Sequence, residues 1–349
     1  MPKLLQVAWA GDGGGLERIV HYLAEEASSR GWGSIVAYCR REPPPGSTVP
    51  YLKLIRGRYG PWPIALAKLI RKERPDIVHL HGPVPGSTGA AAARMARAGH
   101  LIYTDHFVHS LRPRRYQVAR RLTSRLPSVN VAVSQAVADS LIRDAHVGSE
   151  TVTIIMNGTP VTHALRSPTG EGRRKLLYVA NLSPWKGHLQ LVRAVGLVDR
   201  ALDFEVNIVG KGPLTETVRI EISRLGLTDR VKLLGYMQEP WQAAEGAWAY
   251  LHPSYGEGLP LALLEAMMRG LPVIATRTAG IPEVVRDRET GLLVDQHDAV
   301  GLAGAITEII VDADLRSRLA VAARDHALSR FPLDRMLDGY FDLYESLVR

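Results

Sequence analysis

Apolar positions along the chain follow two alternating rhythms. Residues 4–10 form a largely apolar run, then Leu16, Ile19, Val20, Leu23 and Ala27 recur at helical spacing, with Gly11, Gly13, Gly14 and Gly15 between the two. A strand, a glycine turn and a helix open a Rossmann-like unit. The same alternation predicts strands over 34–38, 76–80, 101–104, 129–133 and 153–156, and a helix over 63–72. After residue 174 it returns, with strands over 175–180, 206–209, 231–234, 247–251 and 273–276. Helical periods fall over 215–225, 302–311 and 315–328, and a last one over 331–349 carries Met336, Leu337, Tyr340, Tyr344 and Leu347. Strands alternating with helices predict parallel sheets. Residues 159–174 hold no sustained period and are rich in Pro, Gly, Ser, Thr and charge, which marks a domain boundary.

Composition agrees with two domains. A chain of 349 residues exceeds one ordinary core, and 46% hydrophobic residues exclude a disordered chain. One cysteine, Cys39, excludes an intramolecular disulfide and fits a reducing compartment. The run 4–10 is too short for a signal-peptide core, and no apolar stretch approaches the roughly 20 residues of a spanning helix. The expectation is a soluble, cytoplasmic protein, with peripheral contact at the inner face of a membrane as the second option. A net charge of +8 favours anionic partners: nucleotide diphosphates, an anionic membrane face or an anionic acceptor. No RRM or zinc-finger signature supports nucleic acid.

The chemistry concentrates in residues 251–294. Glu257 sits in a Gly-Glu-Gly loop, and Glu265 lies eight positions on, inside an apolar run. Pro260 suits the first turn of a helix and Gly270 its stop. The amides of Gly258 and Leu259 then point off a helix N-terminus, which attracts phosphate. Glu265 is costly to bury without donors, and ribose hydroxyls would supply them. The plain alternative is a surface pair of Glu265 with Arg269 and an ordinary loop acid at Glu257.

Other candidates are scattered. His79 and His81 share one face of an extended strand, but no third ligand is near enough in sequence for a metal site. His106 and His109 follow the strand at 101–104. Residues 110–125 contain Arg112, Arg114, Arg115, Arg120, Arg121 and Arg125 and no acid, either a solvated helix or a dock for an anionic surface. Asp312 and Asp314 spell D-x-D, and between two helical periods they read as an N-cap with a first-turn acid.

The stretch at 253–268 resembles the E-x7-E signature of retaining glycosyltransferases of the GT-B fold, especially glycosyltransferase family 4. Further likenesses are Gly14-Gly15-x-Glu17-Arg18, His79-x-His81, the turn ending at His106, Ser134-x-x-Val137, Asn157-Gly158 and the loop ending at Lys186-Gly187. The resemblance covers nearly the whole chain. It implies an α/β, GT-B protein: two Rossmann-like parallel-sheet domains facing a central cleft, with the C-terminal helix crossing back to the N-terminal domain. The domains would be an acceptor-binding 1–164, a nucleotide-sugar-binding 165–331 and a crossover helix 332–349.

By the same resemblance Glu257 lies by the donor sugar and phosphate, Glu265 holds the ribose, and Lys186 holds the diphosphate. His106 stands beside the reacting sugar, and Gly14, Gly15 and His81 lie on the acceptor side. Gly258, Leu259 and Pro260 complete the donor loop. The arginine that the family carries five positions before the lysine is Asn181 here, and Lys211 is the candidate replacement. The implied activity is transfer of a sugar, with retention, from a nucleotide-diphosphate sugar to a small-molecule, lipid or glycan acceptor, with no metal and no cofactor. A weakened accessory protein and a sugar-nucleotide epimerase are the alternatives.

Overall fold

A computed structural model describes residues 1–9, 14–40, 51–54, 62–165 and 173–349. Gly11, Asp12 and Gly13, and part of the expected boundary segment, lie outside the described residues. The chain divides into two compact units, Met1–Gly158 with Leu333–Arg349, and Thr159–Pro332.

The first unit runs β1 (Lys3–Ala8), α1 (Gly15–Ser29), β2 (Gly33–Tyr38), β3 (Tyr51–Lys53), α2 (Trp62–Glu73), β4 (Ile77–His81), α3 (Ala90–Met95), β5 (His100–Asp105), α4 (Arg114–Leu122), β6 (Val129–Ala132), α5 (Gln135–Ala145) and β7 (Val152–Ile154). Among the described residues its seven strands are all parallel, in the order β3-β2-β1-β4-β5-β6-β7. A parallel strand buried on both faces reads as a nearly continuous apolar run. In β1 this covers Leu4, Leu5, Val7 and Ala8, all fully buried, and the buried polar residue among them, Gln6, donates from Nε2 to the Val20 carbonyl at 3.1 Å.

The second unit runs β8 (Arg174–Val179), α6 (His188–Leu197), β9 (Phe204–Val209), α7 (Thr215–Arg224), β10 (Val231–Gly235), β11 (Ala247–His252), α8 (Leu261–Met268), β12 (Val273–Thr276), α9 (Ile281–Val284), β13 (Leu292–Val294), α10 (Ala299–Val311) and α11 (Ala313–Arg330). Among its described residues, six parallel strands are ordered β10-β9-β8-β11-β12-β13. Asp312 caps α11 by accepting from the Leu315 amide at 2.8 Å, so the D-x-D pair is a helix start. The final helix, α12 (Leu333–Val348), belongs to the first unit. There Phe341 meets the Trp32 ring edge-on at 5.8 Å between centroids, and Asp338 pairs with Arg30 at 2.6 Å.

Both sheets reverse their strand order at one place, between β1 and β4 and between β8 and β11. Open α/β sheets bind ligands beyond the carboxyl ends of the strands at such a switch point. The loops after β8 and β11, and the residues ending β4 and β5, are therefore where chemistry is sought.

Candidate functional site

In the second unit the loop after β8 and the loop after β11 pack backbone on backbone. Gly187 adopts φ +69°, and a Cβ there would lie 1.8 Å from the Pro253 carbonyl oxygen, so only glycine permits the approach. The Tyr255 amide donates to the Trp185 carbonyl at 2.7 Å, and the Tyr178 hydroxyl donates to the Lys186 carbonyl at 2.6 Å. These contacts bring Lys186 Nζ onto Glu257 Oε1 as a short ion pair, with His252 Nε2 at 3.4 Å from the same oxygen.

The carboxylate of Glu257 is buried. Burial alone would push its pKa up, but the Lys186 ammonium and the His252 ring outweigh it and hold the group at about 2. His252 is pushed down by burial and by Lys186 against the pull of Glu257, so its imidazole is neutral at pH 7. The cluster thus offers a fixed carboxylate and a fixed ammonium at the switch point of the sheet.

Glu265 lies in α8 and is buried, not a surface helix acid. Trp241 Nε1 donates to its Oε2 at 2.9 Å. Arg269 donates to the Glu265 main-chain carbonyl at 3.0 Å and lies 4.4 Å above the Trp241 ring. Gly258 and Leu259 occupy the buried turn before the helix. Pro260 is its N-cap, with extended ψ of 118°, rather than a first-turn residue, and its carbonyl accepts from the Leu263 amide at 3.1 Å. Asn181 and Lys211 are exposed on adjoining loops, tied by the Leu182 amide donating to the Lys211 carbonyl at 3.2 Å. Lys211 Nζ sits 4.8 Å from the centre of the exposed Tyr236 ring.

In the first unit Gly14 is the N-cap of α1, and Gly15 is its first residue. His81 ends β4 and is fully buried, with Nδ1 at 3.4 Å from His106 Nε2. Burial lowers the pKa of His106 to about 4; Asp105 resists and Arg112 reinforces the shift. His109 is buried, its main-chain amide donating to Ser140 Oγ at 3.0 Å. Among the described residues, no group of three or more His, Cys, Asp or Glu could hold a metal ion.

The basic segment needs a correction. Arg112 is buried in an ion pair with Asp105, and Arg120 is buried on Asn130 Oδ1 and 4.6 Å above the Tyr103 ring. Neither guanidinium is available to an anionic surface, because each balances a polar group inside the unit. Arg114, Arg115, Arg121 and Arg125 are exposed, beside Leu111, Val118 and Leu122 at 49%, 53% and 81% exposure.

The sequence reading did not single out His252 and Trp241. His252 is the last residue of β11, a strand-end position that the switch-point rule marks once the topology is known. Trp241 carries no local signal, since it meets Glu265 from 24 positions away.

Residues 13–163 match the family model described as Glycosyltransferase Family 4, and residues 164–326 match that described as Glycosyl transferases group 1. N-acetyl-alpha-D-glucosaminyl L-malate synthase of Bacillus anthracis is 25% identical over 84% of this chain and 81% of that protein. D-inositol 3-phosphate glycosyltransferase of Corynebacterium diphtheriae is 27% identical over 93% and 88%. Among solved structures, Anabaena HepE in complex with UDP-glucose superposes with a TM-score of 0.88 at 23% identity, covering 99% of this chain and 100% of that one. Sucrose-phosphate synthase from Thermosynechococcus elongatus gives 0.87 at 22% identity, over 100% and 99%. With one glycosyltransferase model on each half and GT-B structures alike along its whole length, the chain belongs to the GT-B glycosyltransferases of the family 4 type.

Proposed function

We propose that the chain is a retaining, metal-independent glycosyltransferase that takes its sugar from a nucleotide-diphosphate sugar. The observation that carries this reading is the ion pair of Lys186 with Glu257 at the switch point of the second sheet. The names of the relatives support it, and so does HepE, crystallised with UDP-glucose. Lys186 balances the charge that develops on the leaving diphosphate, a role that suits a compact cation. Glu257 accepts hydrogen bonds from the sugar, and Glu265 accepts from the ribose hydroxyls with Trp241 holding its other oxygen. Gly258, Leu259 and Pro260 shape the donor loop.

In the first unit, the neutral imidazole of His106 hydrogen-bonds a sugar hydroxyl. Gly14, Gly15 and His81 serve the acceptor side. The sugar C1–O bond to the diphosphate breaks with its electron pair going to the phosphate oxygen. The acceptor oxygen then bonds C1 on the face the phosphate leaves, and its proton passes to that phosphate oxygen. The exposed Arg114, Arg115 and Arg121 of α4, with Val118 and Leu122 beside them and Arg125 just beyond, suit an anionic membrane face as the place where the acceptor is met.

The test is turnover of UDP-, GDP-, ADP- and dTDP-glucose in EDTA, with the anomer of the released sugar read by proton NMR. Release of the donor's own anomer is expected. The inverted anomer would contradict retention, and release that requires a divalent cation would contradict metal independence.

A further inference from the structure

The first unit contains a buried polar chain that the donor chemistry does not use. His79 lies within β4, fully buried, and both ring nitrogens are occupied. Nδ1 is 2.7 Å from the Tyr344 hydroxyl, and Nε2 is 2.7 Å from Thr104 Oγ1. Thr104 Oγ1 is in turn 3.2 Å from the Tyr340 hydroxyl. Both tyrosines come from α12 and are fully buried. Burial keeps His79 neutral, so it has one N–H and one lone pair, which the hydroxyls on either side must complement.

A ring fixed at both nitrogens is a rigid platform. His81 stacks on it, with centroids 3.9 Å apart and the planes inclined by 39°. Beyond His81 the chain reaches His106, through Nδ1 and Nε2 at 3.4 Å. Space filling alone does not require the hydroxyls. The same helix fills the same core with Phe341, also fully buried, and a buried hydroxyl is costly unless it is bonded.

We propose that Tyr344 and Tyr340 are positioning residues for His106, acting through His79 and His81, so that the last helix of the chain sets the orientation of the active-site ring. The functional part rests on the reading of His106 given above. The Tyr344→Phe variant keeps the ring volume and removes one hydroxyl. Long-range proton–nitrogen NMR of the full chain, titrated with pH, reads the ring-nitrogen and ring-proton shifts of His79, His81 and His106 without any ligand. Changes at all three rings are expected in Tyr344→Phe. Turnover of whichever nucleotide sugar is used should fall about tenfold in kcat with KM little changed, the signature of lost positioning.

Changes confined to His79, with His106 and kcat as in the parent, would overturn the proposal. Should Tyr344→Phe not fold, Tyr340→Phe breaks the outer bond and should move the same rings by less; unmoved His79 and His106 signals there would also overturn it. Full activity in His106→Ala would overturn the reading of His106 itself. That failure is distinguishable, because the NMR coupling of Tyr344 to His106 would persist.

Discussion

Lys186 and Glu257 stand 71 positions apart in the chain and meet as an ion pair of a half-buried lysine with a buried carboxylate. Glu257 remains ionised in the folded protein down to about pH 2, against an ordinary value of 4.5. Its folded pKa is lowered, so the stabilisation is complete above pH 4.5 and is lost as the pH falls through about 2. The Lys186→Met variant keeps the apolar stem and leaves the buried carboxylate with only His252 beside it. It should lose about 3 kcal/mol at pH 7. Denaturant unfolding should show that deficit shrinking as the pH falls; a deficit that stays constant with pH would contradict the pairing.

The histidines predict a second pH effect. Burial lowers His106 and His109 to about 4 and His188 to about 3, and lowers His79 and His81 well below their ordinary value. The unfolded chain takes up these protons near pH 6.5 while the folded chain refuses them. Stability is therefore unaffected above about pH 7.5 and falls as the pH drops from 6.5 towards 4, by up to about 1.4 kcal/mol per unit for each histidine. Unfolding measured at pH 7.5, 6.0 and 5.0 checks the slope, and a flat profile would contradict the buried neutral rings.

Asn181 and Lys211 define a third test. If Lys211 supplies the cation that the family carries at position 181, Lys211→Ala weakens binding of a nucleoside diphosphate far more than of the nucleoside. Asn181→Arg in that background should restore the diphosphate affinity. Titration calorimetry with UDP, GDP and ADP against their nucleosides reads both. Equal losses for nucleoside and diphosphate would remove Lys211 from the site and move the accessory-protein reading forward.

Charge reversal at Arg114 and Arg115 on α4 and at Arg125 just beyond it should abolish sedimentation with phosphatidylglycerol vesicles at low salt and leave unfolding unchanged. Each arginine near an anionic surface is worth about 1 kcal/mol, so the loss should be more than a hundredfold. Binding that survives the reversal would contradict docking through this helix.

Much of this architecture was legible in the sequence. Parallel strands covered on both faces leave apolar runs, so β1, β5, β11 and β12 stood out. By contrast β3 and β13 are edge strands of three residues each, too short to carry a period. Glu257 and Glu265 stood out because each is a charge set among glycines or apolar residues, whereas Lys186 was singled out only through the resemblance. What surrounds them was not, because Trp241 and His252 acquire their partners only through tertiary packing. The same limit misread Arg112 and Arg120. A run of arginines reads as a solvated face, and only the fold shows Asp105 and Asn130 beneath it.

The central claim is that the second unit holds a nucleotide through Glu265 and a diphosphate through Lys186. A thermal-shift screen of UDP, GDP, ADP, dTDP and their sugars, without metal, tests it most directly. Ligand at about 100 times its Kd adds about 2.7 kcal/mol, a shift easily seen. One nucleotide should raise the Tm, Glu265→Ala should abolish the shift, and Trp241→Phe should weaken binding roughly fivefold. No shift with any nucleotide, or an undiminished shift in Glu265→Ala, would contradict the account.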